Sequence, residues 1–447
     1  MISNRQPWLL HYDEGVPHHL EYPNLCIHDL LRVQSERTPQ KTAIIIGHRS
    51  ILYADLDRLS HNFARNLISN GVKRGDVVGI CLGNSIEFVV SFFAVLKAGA
   101  IVAAMNPVFP GSELYFQVVT SRAVVIITSN SKVQDFQHEG MHGRKIKFIL
   151  VGDHKNQQFS HYEDFLSEPK ADVVLPEVDP FDPAVIQFSG GTTGLPKAAL
   201  GSHHNLVSNV TQFRQWLVNL EDGNETFLIA IPLYHVYGLV LGLILGIGMG
   251  GRLVFTENQG NVDEILELFR KYPISYFPAV PSLFNKINQH PGVMNGDYSL
   301  STVKACISGS APLMESVRLT FEKNTGGFLV EGYGLSEAPT ATHCNPILGE
   351  KRSGSIGLPL PDVDCRIMSL AGDGLEVAQG EEGELWVSGP QIMLGYLDEG
   401  IETKKTLRDG WLRTGDIVRM DSEGYFYLSG RIKELIKVHG MQVWPNE

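Results

Sequence analysis

The sequence predicts an α/β fold, and three observations carry that prediction. Runs rich in β-branched and aliphatic residues, Thr42-Ala43-Ile44-Ile45-Ile46, Val77-Val78-Gly79-Ile80-Cys81-Leu82, Ala100-Ile101-Val102-Ala103-Ala104 and Ala123-Val124-Val125-Ile126-Ile127-Thr128, alternate with stretches of helix length. The same pattern returns in Phe227-Leu228-Ile229-Ala230-Ile231, Arg252-Leu253-Val254-Phe255 and Tyr276-Phe277-Pro278-Ala279-Val280, with a helix expected from Val262 to Lys271. From Gly354 onward the strands shorten and turns punctuate them, as in Cys365-Arg366-Ile367-Met368, Gly383-Glu384-Leu385-Trp386-Val387 and Gly424-Tyr425-Phe426-Tyr427-Leu428.

Strands that are apolar throughout belong to sheets covered on both faces, which points to mostly parallel βαβ units. The expected organisation is therefore two doubly wound subdomains, residues 1–180 and 181–350, followed by a smaller β-rich subdomain over 351–430. Between the second and third strands, Ser85 to Gly99 reads as a buried amphipathic helix with a glycine cap. Ala184-Val185-Ile186-Gln187-Phe188 is a further apolar strand, and it leads into the first stretch with chemical content.

A chain of 447 residues with 43% hydrophobic and 19% charged residues is long and apolar enough to bury a large core, which excludes disorder. Its formal charge of −12 excludes broad nucleic-acid binding, so a polyanionic ligand must be met by local positive groups. The five cysteines, Cys26, Cys81, Cys306, Cys344 and Cys365, form no CxxC pair, so reduced structural thiols and a cytoplasmic setting are expected. No signal-peptide core follows the N-terminus, and the longest apolar run, Gly238 to Met249, is too short to span a bilayer. No basic amphipathic helix stands out, which leaves at most peripheral membrane contact.

Ser189-Gly190-Gly191-Thr192-Thr193-Gly194-Leu195-Pro196-Lys197 comes directly after the strand that ends at Phe188. Its glycines let backbone N–H groups converge on one point, its threonines add hydroxyl donors, and a lysine closes the loop, the chemistry of a phosphate cradle. It is not the Gly-x-x-x-x-Gly-Lys-Ser/Thr loop of ordinary NTPases, and no GxGxxG lies behind a strand. Alone it is equally compatible with a flexible surface loop. In the same way Asp416 could be a turn former, Tyr333 a core aromatic, and His235 a packed histidine in an apolar segment.

Three further segments accompany the loop in order: Glu331-Gly332-Tyr333-Gly334-Leu335-Ser336-Glu337, Trp411-Leu412-Arg413-Thr414-Gly415-Asp416 and Gly430-Arg431-Ile432-Lys433-Glu434-Leu435-Ile436-Lys437. Together the four resemble the signature set of the adenylate-forming superfamily of acyl-CoA synthetases, luciferases and peptide-synthetase adenylation domains. Phe188 to Gly194, His204 to Asn209, Ser353 to Pro359 and Gly389 to Tyr396 make the likeness greatest to long-chain fatty-acid–CoA ligases, and it covers nearly the whole chain.

The resemblance implies a two-step reaction: a carboxylate attacks the α-phosphorus of MgATP to give acyl-adenylate and pyrophosphate, and the thiol of coenzyme A then displaces AMP. It implies that Ser189, Gly190, Gly191, Thr192, Thr193, Gly194 and Lys197 hold the β- and γ-phosphates. Ser336 would donate to the α-phosphate and Glu337 would ligate Mg²⁺, a hard cation suited to carboxylate oxygen. Asp416 would accept the ribose hydroxyls and Arg431 would donate to the ribose. Gly332 and Tyr333 would lie against adenine, bordered by Ser310 and Ala311. His235 would approach the substrate carboxylate, and Tyr237, Gly238, Val240, Val280, Ser308, Gly309, Gly334 and Leu335 would line the acyl pocket, with the glycines leaving room.

Residues 431–447 are expected to be the hinge and first strip of a lid domain that is otherwise essentially absent, with Lys437 and Gln442 at positions that assist adenylation or thioester formation in related ligases. Without the lid lysine, the chain is expected to bind acyl-adenylate and turn over slowly. The alternatives are an aryl-carboxylate ligase, a fatty-acyl–AMP ligase that serves a carrier protein, and an AMP-binding module without catalysis.

Overall fold

The structure, a computed structural model, describes residues 6–136, 146–152, 158–169, 172–189, 197–434, 436–438 and 441–443. An eight-stranded sheet, a second layer of two four-stranded sheets linked through Tyr276, and a smaller five-stranded antiparallel sheet build the body. In spatial order the first sheet runs Gly395–Tyr396, Lys197–Ser202, Pro183–Ser189, Ile101–Ala104, Val77–Cys81, Val125–Ser129, Lys147–Val151 and Ser160–His161. From Pro183–Ser189 to Ser160–His161 every neighbouring pair is parallel. At the other edge Lys197–Ser202 and Gly395–Tyr396 pair antiparallel. The strands on either side of residues 190–196 are thus antiparallel neighbours, with Ser189 and Lys197 in register.

The second layer includes Thr226–Ile229, Arg252–Phe255, Thr42–Ile46 and Arg49–Leu52 in that order, with Arg252–Phe255 parallel to the strand on either side and Arg49–Leu52 antiparallel to Thr42–Ile46. It continues through Ala305–Ser308, Phe328–Leu335, Ala338–Cys344 and Leu358–Pro359. Tyr276 bridges the halves, pairing with Phe227 on one side and Ala305 on the other. The segment Tyr276–Val280, expected as a full strand, makes only isolated bridges, because Pro278 has no N–H to give to a ladder. The sheets also cross the boundary drawn at residue 180: Thr42–Leu52 joins the second layer, whereas Pro183–Ser202 completes the first.

The helix Ile86–Lys97 is buried on nearly every side, as its unbroken apolar composition requires. Ser85 Oγ accepts from the Phe88 N–H at its start, and Gly99, at φ +69°, turns the chain at its end. Its last residue, Lys97, is 6% exposed, and its Nζ donates to Asp57 Oδ1 (2.7 Å), the Asp57 carbonyl (2.9 Å) and Ser60 Oγ (2.8 Å) on the helix Tyr53–Ser69. His203 is buried and caps: its Nδ1 accepts from the N–H of Ile27, the first residue of the helix Ile27–Arg37.

The five-stranded sheet orders Asp364–Met368, Gly383–Ser388, Trp411–Met420 and Leu407–Arg408, with Phe426–Arg431 also paired to Trp411–Met420. A two-stranded ribbon, Ile436–Val438 and Met441–Val443, comes next in the chain, with Lys437 and Gln442 as register partners. All five cysteines are free, and burial pushes the Cys26 and Cys81 thiols up to about 12, away from reactivity. Among the described residues no helix is long and apolar enough to cross a membrane.

Glu331, 9% exposed in the strand Phe328–Leu335, has one oxygen accepting from the Leu313 N–H at 2.9 Å, and burial raises its carboxyl from 4.5 to about 7. The folded chain therefore keeps this proton to a higher pH than the unfolded one. The stability it contributes is complete below 4.5 and lost as pH rises to about 7. Glu331→Gln is expected to raise Tm by several degrees at about pH 8 and by much less at about pH 5. An equal gain at both pH values in thermal melts would refute the assignment.

Candidate active site

The turns and strand ends of these sheets converge on one cavity of about 540 Å³. The strand Phe328–Leu335 crosses from parallel pairing with Ala305–Ser308 to antiparallel pairing with Ala338–Cys344, and a register shift falls between Tyr333 and Leu335. Ser336 and Glu337 form the turn after it, so one hairpin delivers Gly332, Tyr333, Gly334, Leu335, Ser336 and Glu337 to the cavity. Glycine is obligatory at 334, where a Cβ would run into the Thr340 carbonyl oxygen and come within 2.6 Å of Ala341 Cα.

Opposite this hairpin, Asp416 and Arg431 are register partners on adjacent strands of the five-stranded sheet. Asp416 is 2% exposed, and its Oδ2 accepts from the Tyr333 hydroxyl at 2.5 Å. Arg431 Nε lies 2.9 Å from Oδ1, an ion pair, but off the direction of a hydrogen bond, so among the described residues the acceptor capacity of this buried oxygen is unspent. Burial raises the Asp416 carboxyl above its ordinary value, with Tyr333 and Arg431 opposing the shift. The result is a preformed carboxylate acceptor facing a cavity, which suits a ligand bearing neighbouring hydroxyl donors.

The middle of the cavity is charged. Glu337 Oε1 accepts from the Tyr396 hydroxyl at 2.7 Å, and the Glu337 carbonyl accepts from the Met393 N–H at 3.0 Å, so backbone and side chain are both fixed. Lys197, at the start of the return strand from Ser189, stands 5.0 Å above the Tyr396 ring and donates to Glu402 Oε2 at 2.6 Å. A carboxylate fixed by a neutral hydroxyl beside an ammonium is a donor set into which a hard divalent cation bound to phosphate oxygens fits.

The remaining wall is apolar: Phe213, Val236, Tyr237, Leu241, Ile307 and Ala341. Tyr237 is locked by donation to the carbonyls of Ile307 (2.7 Å) and Ala279 (3.2 Å), and a Cβ on Gly309 would stand 3.3 Å from its ring. His235 lines the cavity, and its Nδ1 accepts from the Tyr237 N–H at 3.3 Å, which leaves Nε2 without a hydrogen-bonding role in that contact. The protein packed around the ring lowers its pKa, so the neutral imidazole predominates at physiological pH.

Of the residues singled out in the sequence, Ser189, Lys197, His235, Tyr237, Gly309, Ser310, Gly332, Tyr333, Gly334, Leu335, Ser336, Glu337, Asp416 and Arg431 line this cavity. Ser310 does so at φ +69°, a left-handed conformation uncommon for a residue with a side chain. Gly238, Val240, Val280, Ser308 and Ala311 do not line it. Gly238 is glycine because the Pro232 carbonyl packs where its Cβ would be, not to leave room for a substrate. The wide-turned helical segment Gly238–Ile244 brings Leu241 rather than Val240 to the wall. Val280 caps the helix Pro281–Asn288 and packs on the second layer's separate core, while Ser308 is wholly buried in its strand. Gly190, Gly191, Thr192, Thr193 and Gly194 lie outside the described residues, as do the side chains of Lys437 and Gln442.

Sequence reading missed Tyr396, Glu402, Lys405, Phe213 and Arg413, all on the cavity wall. Tyr396 was within reach, since it ends the Gly389-to-Tyr396 stretch that carries part of the resemblance. Phe213 and Glu402 carry no local signal, because only the packed fold brings them to the site.

The AMP-binding enzyme family matches residues 31–397. A long-chain-fatty-acid–CoA ligase of Bacillus subtilis (strain 168) is 34% identical over 473 aligned residues, spanning 100% of this chain and 84% of its own. The 4-coumarate–CoA ligase 1 of Narcissus pseudonarcissus is 30% identical over 97% of this chain and 80% of its own. The crystal structure of the anthranilate CoA ligase AuaEII in complex with anthranoyl-AMP shares the fold, with a TM-score of 0.85 over 95% of this chain and 81% of that one at 22% identity. With its charged cavity, its fold and most of its length matched in this way, the chain belongs to the AMP-binding enzyme family and is an adenylate-forming acid–thiol ligase.

Proposed function

We propose that the acid is a medium- or long-chain fatty acid and the acceptor thiol is that of coenzyme A. The observation that carries this reading is the mixed lining of a single cavity, which brings together the Asp416 acceptor, the charged Lys197 and Glu337, and the apolar wall of Phe213, Tyr237, Leu241 and Ile307 with His235. A molecule with a nucleoside, phosphates, a carboxylate and an apolar tail presents the matching chemistries.

In the first step a carboxylate oxygen attacks the α-phosphorus of ATP, and the bond to the pyrophosphate oxygen breaks. This step needs alignment and charge neutralisation more than proton transfer. Asp416 takes the ribose hydroxyls through its unspent acceptor, Arg431 supports the ribose edge, and Tyr333, held by Asp416, lies against adenine, bordered by Ser310. Lys197 neutralises the outer phosphates beside Ser189 and the loop Gly190 to Gly194, and Ser336 donates to the α-phosphate. Glu337 holds Mg²⁺, which supplies Lewis-acid charge neutralisation at the phosphates. Neutral His235 aims Nε2 at the incoming carboxylate. In the second step the coenzyme A sulfur attacks the acyl carbon and AMP departs with the shared oxygen, with Lys437 and Gln442 as assisting residues.

Each methylene taken into the apolar end contributes about 0.8 kcal/mol, so affinity should climb with chain length until the wall is reached. The test is a panel of acyl-sulfamoyl adenosines carrying fatty, benzoyl and hydroxycinnamoyl groups, titrated calorimetrically against AMP. Affinity rising along the fatty series is expected. A preference for the aryl members would favour an aryl-carboxylate ligase instead, and pantetheine on a carrier protein outcompeting coenzyme A in acyl transfer would reassign the acceptor.

A further inference from the structure

The ligase reading gives Lys197 to the phosphates, yet in the structure this lysine is engaged by a carboxylate. Glu402, on the short helix Gly400–Thr406, accepts from Lys197 through Oε2 at 2.6 Å and from Lys405 through Oε1 at 2.7 Å. All three side chains line the cavity. The two ammonium groups hold the Glu402 carboxyl down to about 2, so it is charged throughout the working pH range.

We propose that Glu402 is a positioning residue that competes with pyrophosphate for Lys197: it holds the lysine at the phosphate position and reclaims it when pyrophosphate leaves. Two features make such an exchange inexpensive. A polyphosphate carries several negative charges against one on Glu402, so the nucleotide wins the contest with MgATP bound. Lys405 meanwhile stays on Glu402 Oε1, so the displaced carboxylate is not stranded without a cation. Lys197 also remains over the Tyr396 ring, whose hydroxyl fixes Glu337, so the exchange swings an ammonium between two anions beside the metal carboxylate without dismantling it. The device weakens binding of the pyrophosphate moiety in both substrate and product, and its benefit falls on product release, which is rate-limiting in many enzymes.

The inference rests on the ligase reading, and the experiment separates the two. Glu402→Gln keeps the side-chain shape on a partly exposed helix and removes the competing charge. Inorganic pyrophosphate, ATP and AMP are titrated with Mg²⁺ against the full chain and the variant by isothermal calorimetry. The variant is expected to bind pyrophosphate and ATP about three- to fivefold tighter, with AMP unchanged and the gain shrinking in high salt. Pyrophosphate and ATP affinities that are unchanged or weaker, or an AMP affinity that shifts by the same factor, overturn the proposal while leaving the ligase assignment intact. A wild-type chain that binds neither ATP nor pyrophosphate overturns both.

Discussion

Replacing Asp416 by Asn is expected to weaken AMP and ATP binding by about 30- to 100-fold, or about 2–3 kcal/mol, with pyrophosphate binding unaffected. The wild-type carboxylate has one oxygen committed, Oδ2 to the Tyr333 hydroxyl, and one, Oδ1, buried beside Arg431 with acceptor capacity left for a ligand hydroxyl. An amide retains one acceptor. If its oxygen keeps Tyr333, the NH₂ group is turned toward Arg431 and the ribose, where donors meet donors. If it flips, the Tyr333 hydroxyl loses its acceptor in a buried position, and the aromatic proposed to face adenine is released.

The same substitution should leave the fold as stable as before, or more so, at neutral pH. Burial raises the Asp416 carboxyl, so the stability it contributes is present below the ordinary carboxylate value and lost as pH rises through the folded one. Where the group is ionised it therefore costs stability, which Asn removes. The loss of Arg431 opposes this only weakly, because that side chain is 53% exposed. A variant that binds AMP like the wild type in calorimetry would dissociate Asp416 from the ribose. A fall in Tm large enough to explain the lost affinity would make the residue structural.

The contrast between the two ends of the cavity shows what the chain order reveals. Tyr333, Glu337 and Asp416 could be placed on the cavity from the sequence because each lies in one of several ordered segments that together resemble the adenylate-forming signature set. The sheets were legible only in part. An apolar strand announces that both faces are covered but not which neighbours it takes, so Thr42–Ile46 pairs on one side with Arg49–Leu52, next in sequence, and on the other with Arg252–Phe255, some two hundred residues away. The acyl wall was the least legible. Val240 and Val280 adjoin the motifs in sequence, yet helix phase and a separate core turn them away, while Phe213 comes from a helix with no chemical signature. The Glu402–Lys197 pair spans 205 residues and arises from the fold's closing of a helix over a hairpin, information that no local pattern contains.

Gly334→Ala should have an effect larger still, and it probes the hinge between fold and site. The added methyl would occupy the position of the Thr340 carbonyl oxygen and stand 2.6 Å from Ala341 Cα, both backbone atoms of the facing strand that cannot rotate away. Relief requires opening the hairpin between Phe328–Leu335 and Ala338–Cys344, whose register already shifts at this point. Overpacking against backbone costs about 1–3 kcal/mol or more, so Tm should drop by several degrees. The larger consequence is positional, because this hairpin carries Tyr333 toward Asp416 and Glu337 toward Tyr396. Displacements near 1 Å at such contacts are enough to cost about 100-fold, and AMP and MgATP binding should both fall by at least that factor. Gly309→Ala provides the comparison, since its methyl meets the Tyr237 ring at 3.3 Å, a side chain that can yield by a few tenths of an ångström. It should tax the acyl half while leaving AMP affinity within about twofold of wild type. Equal losses of AMP binding in the two variants would mean that the cavity is organised by general packing and not by the hairpin that bears Tyr333 and Glu337.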